Sequence, residues 1–366
     1  MKIICKVITL STAVLALCLA GCASGPVVAE RFVWPPPPEE PKVEFLGVYR
    51  NQSDLTEKGL SALLLGTEAS DSLQNPQAIA ADGNGKVYVT DMKLGGVLVF
   101  DFTASKSYRM AGESAALLAK PSGIALDGDG NIYVGDTDKQ KIFVFDKDEK
   151  PVSVIDLSAQ AKSIGFFAID KVRKRLAVPD PRASKVYIVD FSGKVLTTLE
   201  KYEGEEGILN MPAATAFDKG GNIIVADTMH ARIVRFTPEG KFLSLFGKRG
   251  DNAGEFSVIK GVAVDSEDHI YVTDSKSNRF NVINEKGALL IAIGSVAGLS
   301  PKVGDFLIPM GIFIDQNDTI YIVDKFAKRF QKYQYLTPAY LSKHPILKDT
   351  PLAKPAEEEK KEKKEK

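Results

Sequence analysis

The residues able to do chemistry recur. Six aspartates, Asp91, Asp136, Asp180, Asp227, Asp274 and Asp324, follow one another at intervals of 45, 44, 47, 47 and 50 residues. If they converged they would form a ring of carboxylates able to hold a cation. Five residues after them stand Gly96, Lys141, Lys185, Arg232, Arg279 and Arg329, so five of the six copies carry a base at a fixed offset. A feature repeated in every unit serves the unit. The pattern therefore predicts an aspartate that ends a strand, caps the next loop and pairs with the base of its own copy. Residues 127–131, DGDGN, begin like a calcium loop, but the sixth position is Ile132 where glycine is needed and the twelfth is Asp138 where glutamate is needed. They read as a hairpin turn. GKRG at residues 247–250 lacks the spacing and the following Ser or Thr of a phosphate loop. Cys5, Cys18 and Cys22 all lie at the N-terminus, so the fold is held without a disulfide framework.

The elements that position these residues follow from the repeat. Each aspartate closes a β-rich run: KVYVTD, NIYVGD, RLAVPD, NIIVAD, HIYVTD and TIYIVD. Upstream of each lies an apolar run and, in most copies, a Gly, Asp or Asn turn, which makes a hairpin. Downstream come two further runs, such as IFVFD and VSVIDL, joined by turns such as KDEK. Four short strands at a period near 45 residues make a propeller blade. The expected fold is all-β, a six-bladed β-propeller over residues 43–337 with four-stranded blades. The sixth copy lacks a fourth strand, and VEFLGVY at residues 43–49 lacks a partner, so this N-terminal strand is expected to complete the last blade and remove an open edge.

Two segments, NMPAATAFDKGGNIIVADTMHARIVRFTPEGKFLSLFG and IKGVAVDSEDHIYVTDSKSNRFNVINEKGALLIAIG, resemble the NHL repeat of six-bladed propellers. The likeness is weakest in the third copy, DKVRKRLAVPDPRASK, which lacks the glycine turn. Propeller lyases and lactonases of similar fold place a metal in the central channel, held by His or by Glu, Asn and Asp from several blades. Here the runs entering the channel, NPQAIA, KPSGIA, AKSIGFF, NMPAATA, IKGVA and PMGIF, offer Asn75 and Asn210 and no acid. His230 falls in a loop after a second strand, His269 in a turn before one, and His344 beyond the last blade, so no two are expected to converge. The reading is of a noncatalytic module without catalytic residues, metal or cofactor. A metal-dependent lactonase-like or lyase-like enzyme is the alternative.

The termini supply an address. Lys2 and Lys6 precede the apolar residues 7–19, a secretory signal, and Leu19-Ala20-Gly21-Cys22 resembles the bacterial lipobox, which makes Cys22 the lipidated first residue of the mature chain. Cleavage leaves 45 basic against 47 acidic residues, a net charge of −2, and nothing that recruits nucleic acid. Ala23 after the cysteine resembles outer-membrane sorting. Pro35, Pro36, Pro37 and Pro38 predict an extended, semi-rigid spacer over residues 22–42. At the other end, residues 338–366 form an extension whose last ten residues, five Glu and five Lys, are expected to be disordered.

The expected binding face carries the loops after the second strands. It gathers Lys93, Arg182, His230, Lys248, Arg249, Lys276 and Lys325, with Met92, Met229 and Phe326 between them. A monomeric, lipid-anchored scaffold would use it to dock an acidic or mixed protein surface. Resemblance to similar lipoproteins implies an envelope complex, with multihaem cytochromes as the suggested partners, although the chain has no haem-attachment motif. Lys171, Arg173, Lys174 and Arg175 of the third copy read as exposed charges solvating a turn on the opposite face. Cys22→Ser is expected to block acylation and processing. Fractionation and gel mobility unchanged from wild type would remove the anchor.

Overall fold

The structure is a computed structural model that describes residues 31–56, 71–110, 117–202, 207–252, 254–295, 302–346 and 350–353. The signal segment, Cys22 and the Lys/Glu tail lie outside the described residues. Two strands come first, β1 (Arg31–Trp34) and β2 (Val43–Tyr49). Blade 1 comprises β3 (Pro76–Ala81), β4 (Lys86–Asp91), β5 (Gly96–Asp101) and β6 (Lys106–Arg109). Blade 2 comprises β7 (Pro121–Leu126), β8 (Ile132–Asp136), β9 (Lys141–Phe145) and β10 (Pro151–Asp156). Blade 3 holds β11 (Ala168–Asp170), β12 (Arg175–Asp180), β13 (Lys185–Asp190) and β14 (Val195–Leu199). Blade 4 holds β15 (Pro212–Phe217), β16 (Ile223–Asp227), β17 (Arg232–Phe236) and β18 (Phe242–Phe246). Blade 5 holds β19 (Ile259–Val264), β20 (Ile270–Asp274), β21 (Arg279–Ile283) and β22 (Leu289–Ile293). Each is a four-stranded antiparallel meander.

Burial grades outward along each meander. The inner strands β3 and β7 are buried at every residue, whereas β14, β18 and β22 alternate between partly buried and exposed. Continuous apolar runs suit strands covered on both faces, and alternation suits the half-solvated outer strand. The core is therefore divided into inter-blade clusters, one between each neighbouring pair of sheets.

Blade 6 closes the ring as the unpaired N-terminal strand predicts. β23 (Pro309–Ile314), β24 (Thr319–Asp324) and β25 (Arg329–Tyr335) are completed by β2, with Val43 opposite Tyr335 and Tyr49 opposite Phe330. The sheet then continues beyond expectation. β1 pairs antiparallel with β2, and β26 (Leu352–Ala353) pairs parallel with β1. The segment read as a spacer is thus, from Arg31 onward, part of the blade. RFVW has the aromatic and β-branched character of a strand, Val33 is buried, and Arg31 forms two 2.5 Å bonds to the Glu44 carboxylate. The prolines become the return loop, closed by Lys42 N–H donating to the Trp34 carbonyl at 2.7 Å. After blade 6 a short helix, α1 (Pro338–Lys343), is capped by Thr337, whose side chain accepts from Tyr340 N–H.

The recurring aspartates prove to be clamps, all six fully buried. Asp136 is representative. One carboxylate oxygen accepts from Ala119 and Lys120 N–H at 2.6 and 2.9 Å, in the chain arriving from blade 1, and the other accepts from Asp138 and Lys139 N–H at 3.0 Å, in the loop just after the strand. Asp91, Asp180 and Asp274 do the same with their own connections. The loop-capping expectation holds at these four; Asp227 and Asp324 accept instead from the arriving Asn210 and Leu307 N–H and from side chains, and the paired base also needs correction. Arg329 and Arg232 reach their aspartates at 2.8 and 3.5 Å, whereas Lys141 and Lys185 pair with Asp156 and Glu200 on the outer side of the blade. Arg279 donates to the Asn252 and Glu255 carbonyls. Arginine is long enough to turn back to the strand end, and the backbone amides already satisfy the carboxylate where it does not. Asp136→Ala is expected to cost about 3 kcal/mol or more, because four N–H groups lose a charged acceptor. A denaturant melt within about 1 kcal/mol of wild type would contradict the clamp.

Candidate functional site

The innermost strands line the channel, and their small residues show how tightly it closes. Four positions before the first turn aspartate, the blades carry Ala78, Gly123, Phe166, Ala214, Gly261 and Gly311 in order. A Cβ added at Gly123, Gly261 or Gly311 would lie 2.5, 2.6 or 2.7 Å from the neighbouring blade's Gly165 O, Met310 O or Ala78 Cα, so backbones meet there. Hydroxyls stitch the same level: Thr90 donates to Ser122 O, Ser122 to Ile164 O, Thr228 to Ile259 O and Thr273 to Met310 O, each across a blade boundary at 2.6–3.0 Å.

Blade 3 departs from this rule. Its inner strand is only three residues long, and the segment before it pairs with blade 4, where Phe166 N–H donates to Ala213 O and Thr215 N–H to Phe166 O, both at 2.9 Å. The Phe166 ring packs against the clusters between blades 1 and 2, 4 and 5, and 6 and 1, which carries it across the axis. Phe313, from the opposite blade, packs against two of the same clusters. A cavity of about 200 Å³ remains, lined by alanines, aliphatics and phenylalanines with Thr215 and Lys171. Thr215 already donates to Ala177 O at 2.6 Å. The lining presents no carboxylate or imidazole, and its volume falls below the several hundred Å³ usual for a small-molecule site.

The two faces of the ring differ. On the turn face, where first and second strands meet, aspartates fold their own hairpins. Asp127 accepts from Asp129 and Asn131 N–H at 2.9 Å, as a turn and not a calcium loop. Burial, and next the adjacent carboxylate, raises the phenols of Tyr133, Tyr271 and Tyr321, which stay protonated to donate to Asp127, Asp265 and Asp315. His269 bonds Asp265 at 3.0 Å, and that bond raises its pKa above the ordinary value. The third-copy cluster is not four exposed charges. Arg175 is 8% exposed; it bonds Asp170, reaches the Gly221 carbonyl at 3.1 Å and also bonds Pro238 O, latching blade 3 to blade 4. Arg173 adds a bond to Gly220 O. The loss of the glycine turn in this copy is matched by arginines reaching the next blade.

On the loop face, the seven expected residues fall into two groups. Lys93, Arg182 and Lys276 are exposed and Lys325 is half-buried; none of their side chains has a partner among the described residues. The other three are engaged within the fold. His230 bonds the clamp carboxylate of Asp227 at 2.8 Å, Arg249 donates to Ser257 O and Met229 O at 2.8 and 2.7 Å, and Lys248 pairs with Glu255 at 3.0 Å. Met229 and Phe326 are 48% and 61% exposed, and Met92 is half-buried. Ile208, Met211 and Leu307 join them on this face. Sequence reasoning missed these three, which sit in connections whose apolar residues could equally have turned inward. It also missed Lys260, a cation within the channel run IKGVA. Asn75 and Asn210 lie in the connections and do not line the cavity; Asn75 accepts from Gln77 at 2.9 Å. Among the described residues no group of three or more His, Cys, Asp or Glu is placed to hold a metal.

Residues 118–145 match the NHL repeat, and residues 215–281 match a family described as a 6-bladed beta-propeller, DUF5128. The chain is an NHL-repeat six-bladed β-propeller. No curated protein sequence matches it. Among solved structures, this propeller is similar to a structural genomics protein of unknown function from Bacteroides thetaiotaomicron, with 17% identity, a TM-score of 0.61, and 80% of this chain and 75% of that chain covered. It is similar to virginiamycin B lyase from Staphylococcus aureus, with 15% identity, a TM-score of 0.51, and 72% and 95% covered. An auxiliary nutrient binding protein from Bacteroides thetaiotaomicron follows at 12% identity, a TM-score of 0.56, and 72% and 69% covered. At such identities the likeness is one of fold, which many activities share. Phe166→Ala is expected to lower the stability of the propeller by roughly 2–4 kcal/mol, since a half-buried ring that bridges several clusters leaves a void. A melt unchanged from wild type would mean that Phe166 does not fill the channel.

Proposed function

We propose that this propeller is a noncatalytic docking platform, held at the bacterial envelope by a lipid on Cys22 and binding a protein partner through its loop face. The observation that carries the reading is the make-up of that face. Unpartnered cations Lys93, Arg182 and Lys276 stand among exposed Ile208, Met211, Met229, Leu307 and Phe326. Charge around solvent-exposed apolar side chains is the composition of a protein-binding surface. The narrow apolar channel supports the same reading, because its lining among the described residues presents no carboxylate or imidazole. The partner's surface is acidic or mixed, and an envelope complex with multihaem cytochromes is one such setting. Binding is steered by charge and completed by apolar contact.

The test reverses charges that hold nothing within the fold. Protein purified from solubilised envelopes is compared with Lys93→Glu/Lys276→Glu, whose melting behaviour should match wild type because both side chains are exposed and unpaired. A partner recovered with wild type is expected to be lost at least tenfold from the double variant, and its affinity should fall with salt. Equal recovery by both proteins would overturn the docking face. A stoichiometric divalent ion bound in the channel of the purified protein would replace the platform reading with a hydrolytic or lyase one.

A further inference from the structure

Two cations on the loop face, Lys260 and Lys325, make no ion pair among the described residues. Lys260 sits at a bulge in β19, where the register against β20 jumps from Ile259 opposite Asp274 to Gly261 opposite Thr273. A bulge takes its residue out of the ladder and re-aims the side chain. The equivalent residues of the other inner runs are Gln77, Ser122, Gly165, Ala213 and Met310, none of them charged. The second cation comes from the neighbouring blade. Lys325 follows the clamp Asp324, where the other blades carry Met92, Thr137, Pro181, Thr228 and Ser275, and its N–H donates to Ile308 O at 3.1 Å, which holds it beside the start of β23. Both lysines therefore flank the start of β23, Lys325 through its N–H bond to Ile308 O and Lys260 through its neighbour Gly261, whose Cβ position would lie 2.6 Å from Met310 O.

Among the described residues neither ammonium has an ion pair or a hydrogen bond, whereas Lys86, Lys120, Lys141, Lys185 and Lys248 each pair with an acid. The clamp acids of the same two blades are occupied. Asp274 accepts from Ser257 and Val258 N–H, and Asp324 from Leu307 N–H and Arg329. Burial lowers the pKa of both lysines, and the charge of Lys325 lowers that of Lys260 further, the signature of like charges in partial shelter from water. Two half-buried ammonium groups of the same sign cost free energy, and an anion shared between them returns it.

We propose that the channel mouth on the loop face is an anion site, in which the ammonium groups of Lys260 and Lys325 together hold one carboxylate or phosphate group of a ligand. Each ammonium offers three donors, and a carboxylate or phosphate offers separate oxygens to each. Met310, 9% exposed, and the exposed Leu307 and Phe326 belong to the same blade-6 segments and place apolar surface near the charge. This deepens the docking reading by giving the face a defined chemical preference, and it uses none of the residues reversed in that test.

The experiment titrates detergent-purified full-length protein with inorganic phosphate and, separately, with succinate, using sodium chloride at matched ionic strength as the control. Saturable binding of phosphate or succinate by calorimetry, absent with chloride, is expected to weaken on the order of tenfold or more in Lys260→Gln/Lys325→Gln. Without anion, the double variant should melt at or above the wild-type temperature, since it has lost a repulsion. Binding of succinate but not phosphate assigns the site to carboxylates, and the reverse assigns it to phosphate. No saturable binding of either, or binding unchanged in the double variant, overturns the proposal. If the double variant fails to fold, Lys325→Gln alone, in a loop, carries the same comparison. Because these measurements need no partner, loss of the anion site leaves the docking result intact, and failure of docking leaves the anion titration to stand by itself.

Discussion

The fold depends on a buried carboxylate at the end of each second strand. A blade presents two kinds of backbone that no ladder satisfies: the loop turning into the third strand, and the chain arriving from the blade before. In four blades one aspartate serves both, as Asp136 does with four N–H groups, and in blades 4 and 6 it holds the arriving chain and side-chain donors. An ionised acceptor makes bonds roughly twice as strong as a neutral one, and enclosure keeps competing water out. Placing these acids in separate blades also explains why they form no metal ring. Each is spent where it stands.

The second constraint is steric. With six blades around one axis, inner strands approach until only glycine fits between backbones at Gly123, Gly261 and Gly311. That closeness leaves little channel, and Phe166 fills much of the remainder by leaving its own blade and pairing with blade 4. The degenerate third copy is therefore where the ring is plugged. Its arginines compensate on the turn face, where Arg175 and Arg173 bond to carbonyls of blade 4.

Closing the middle of the ring leaves its two faces as the surfaces open to solvent. The turn face spends its polar groups on hairpins and on bonds between adjacent turns, such as Ser266 with Asp318 and Asn317 with Gly83. Among the described residues the loop face keeps Lys93, Arg182 and Lys276 without side-chain partners beside exposed apolar side chains. A rigid scaffold with adaptable loops at one end is the arrangement on which proteins commonly build binding sites.

Much of this was legible in the sequence, because a repeat multiplies its own signal. The period near 45, the hairpin turns, the loop-capping aspartates and the strand from Val43 to Tyr49 that closes blade 6 all follow from local pattern and from the need to leave no open edge. The use of each charge did not follow. Arg232 and Arg329 reach their aspartates while Lys141 and Lys185 turn to other acids, and Arg249 and His230 are consumed by contacts within the face. Those choices depend on distances between segments far apart in the chain. The same holds for RFVW, which becomes a strand only because β2 offers it an edge, and for Lys260 and Lys325, which stand beside the start of β23 from adjacent blades with no ion pair among the described residues. Local pattern determined the elements and their order; which side chains were left free was decided by three-dimensional packing, since burial and pairing are properties of neighbours that sequence separation does not encode.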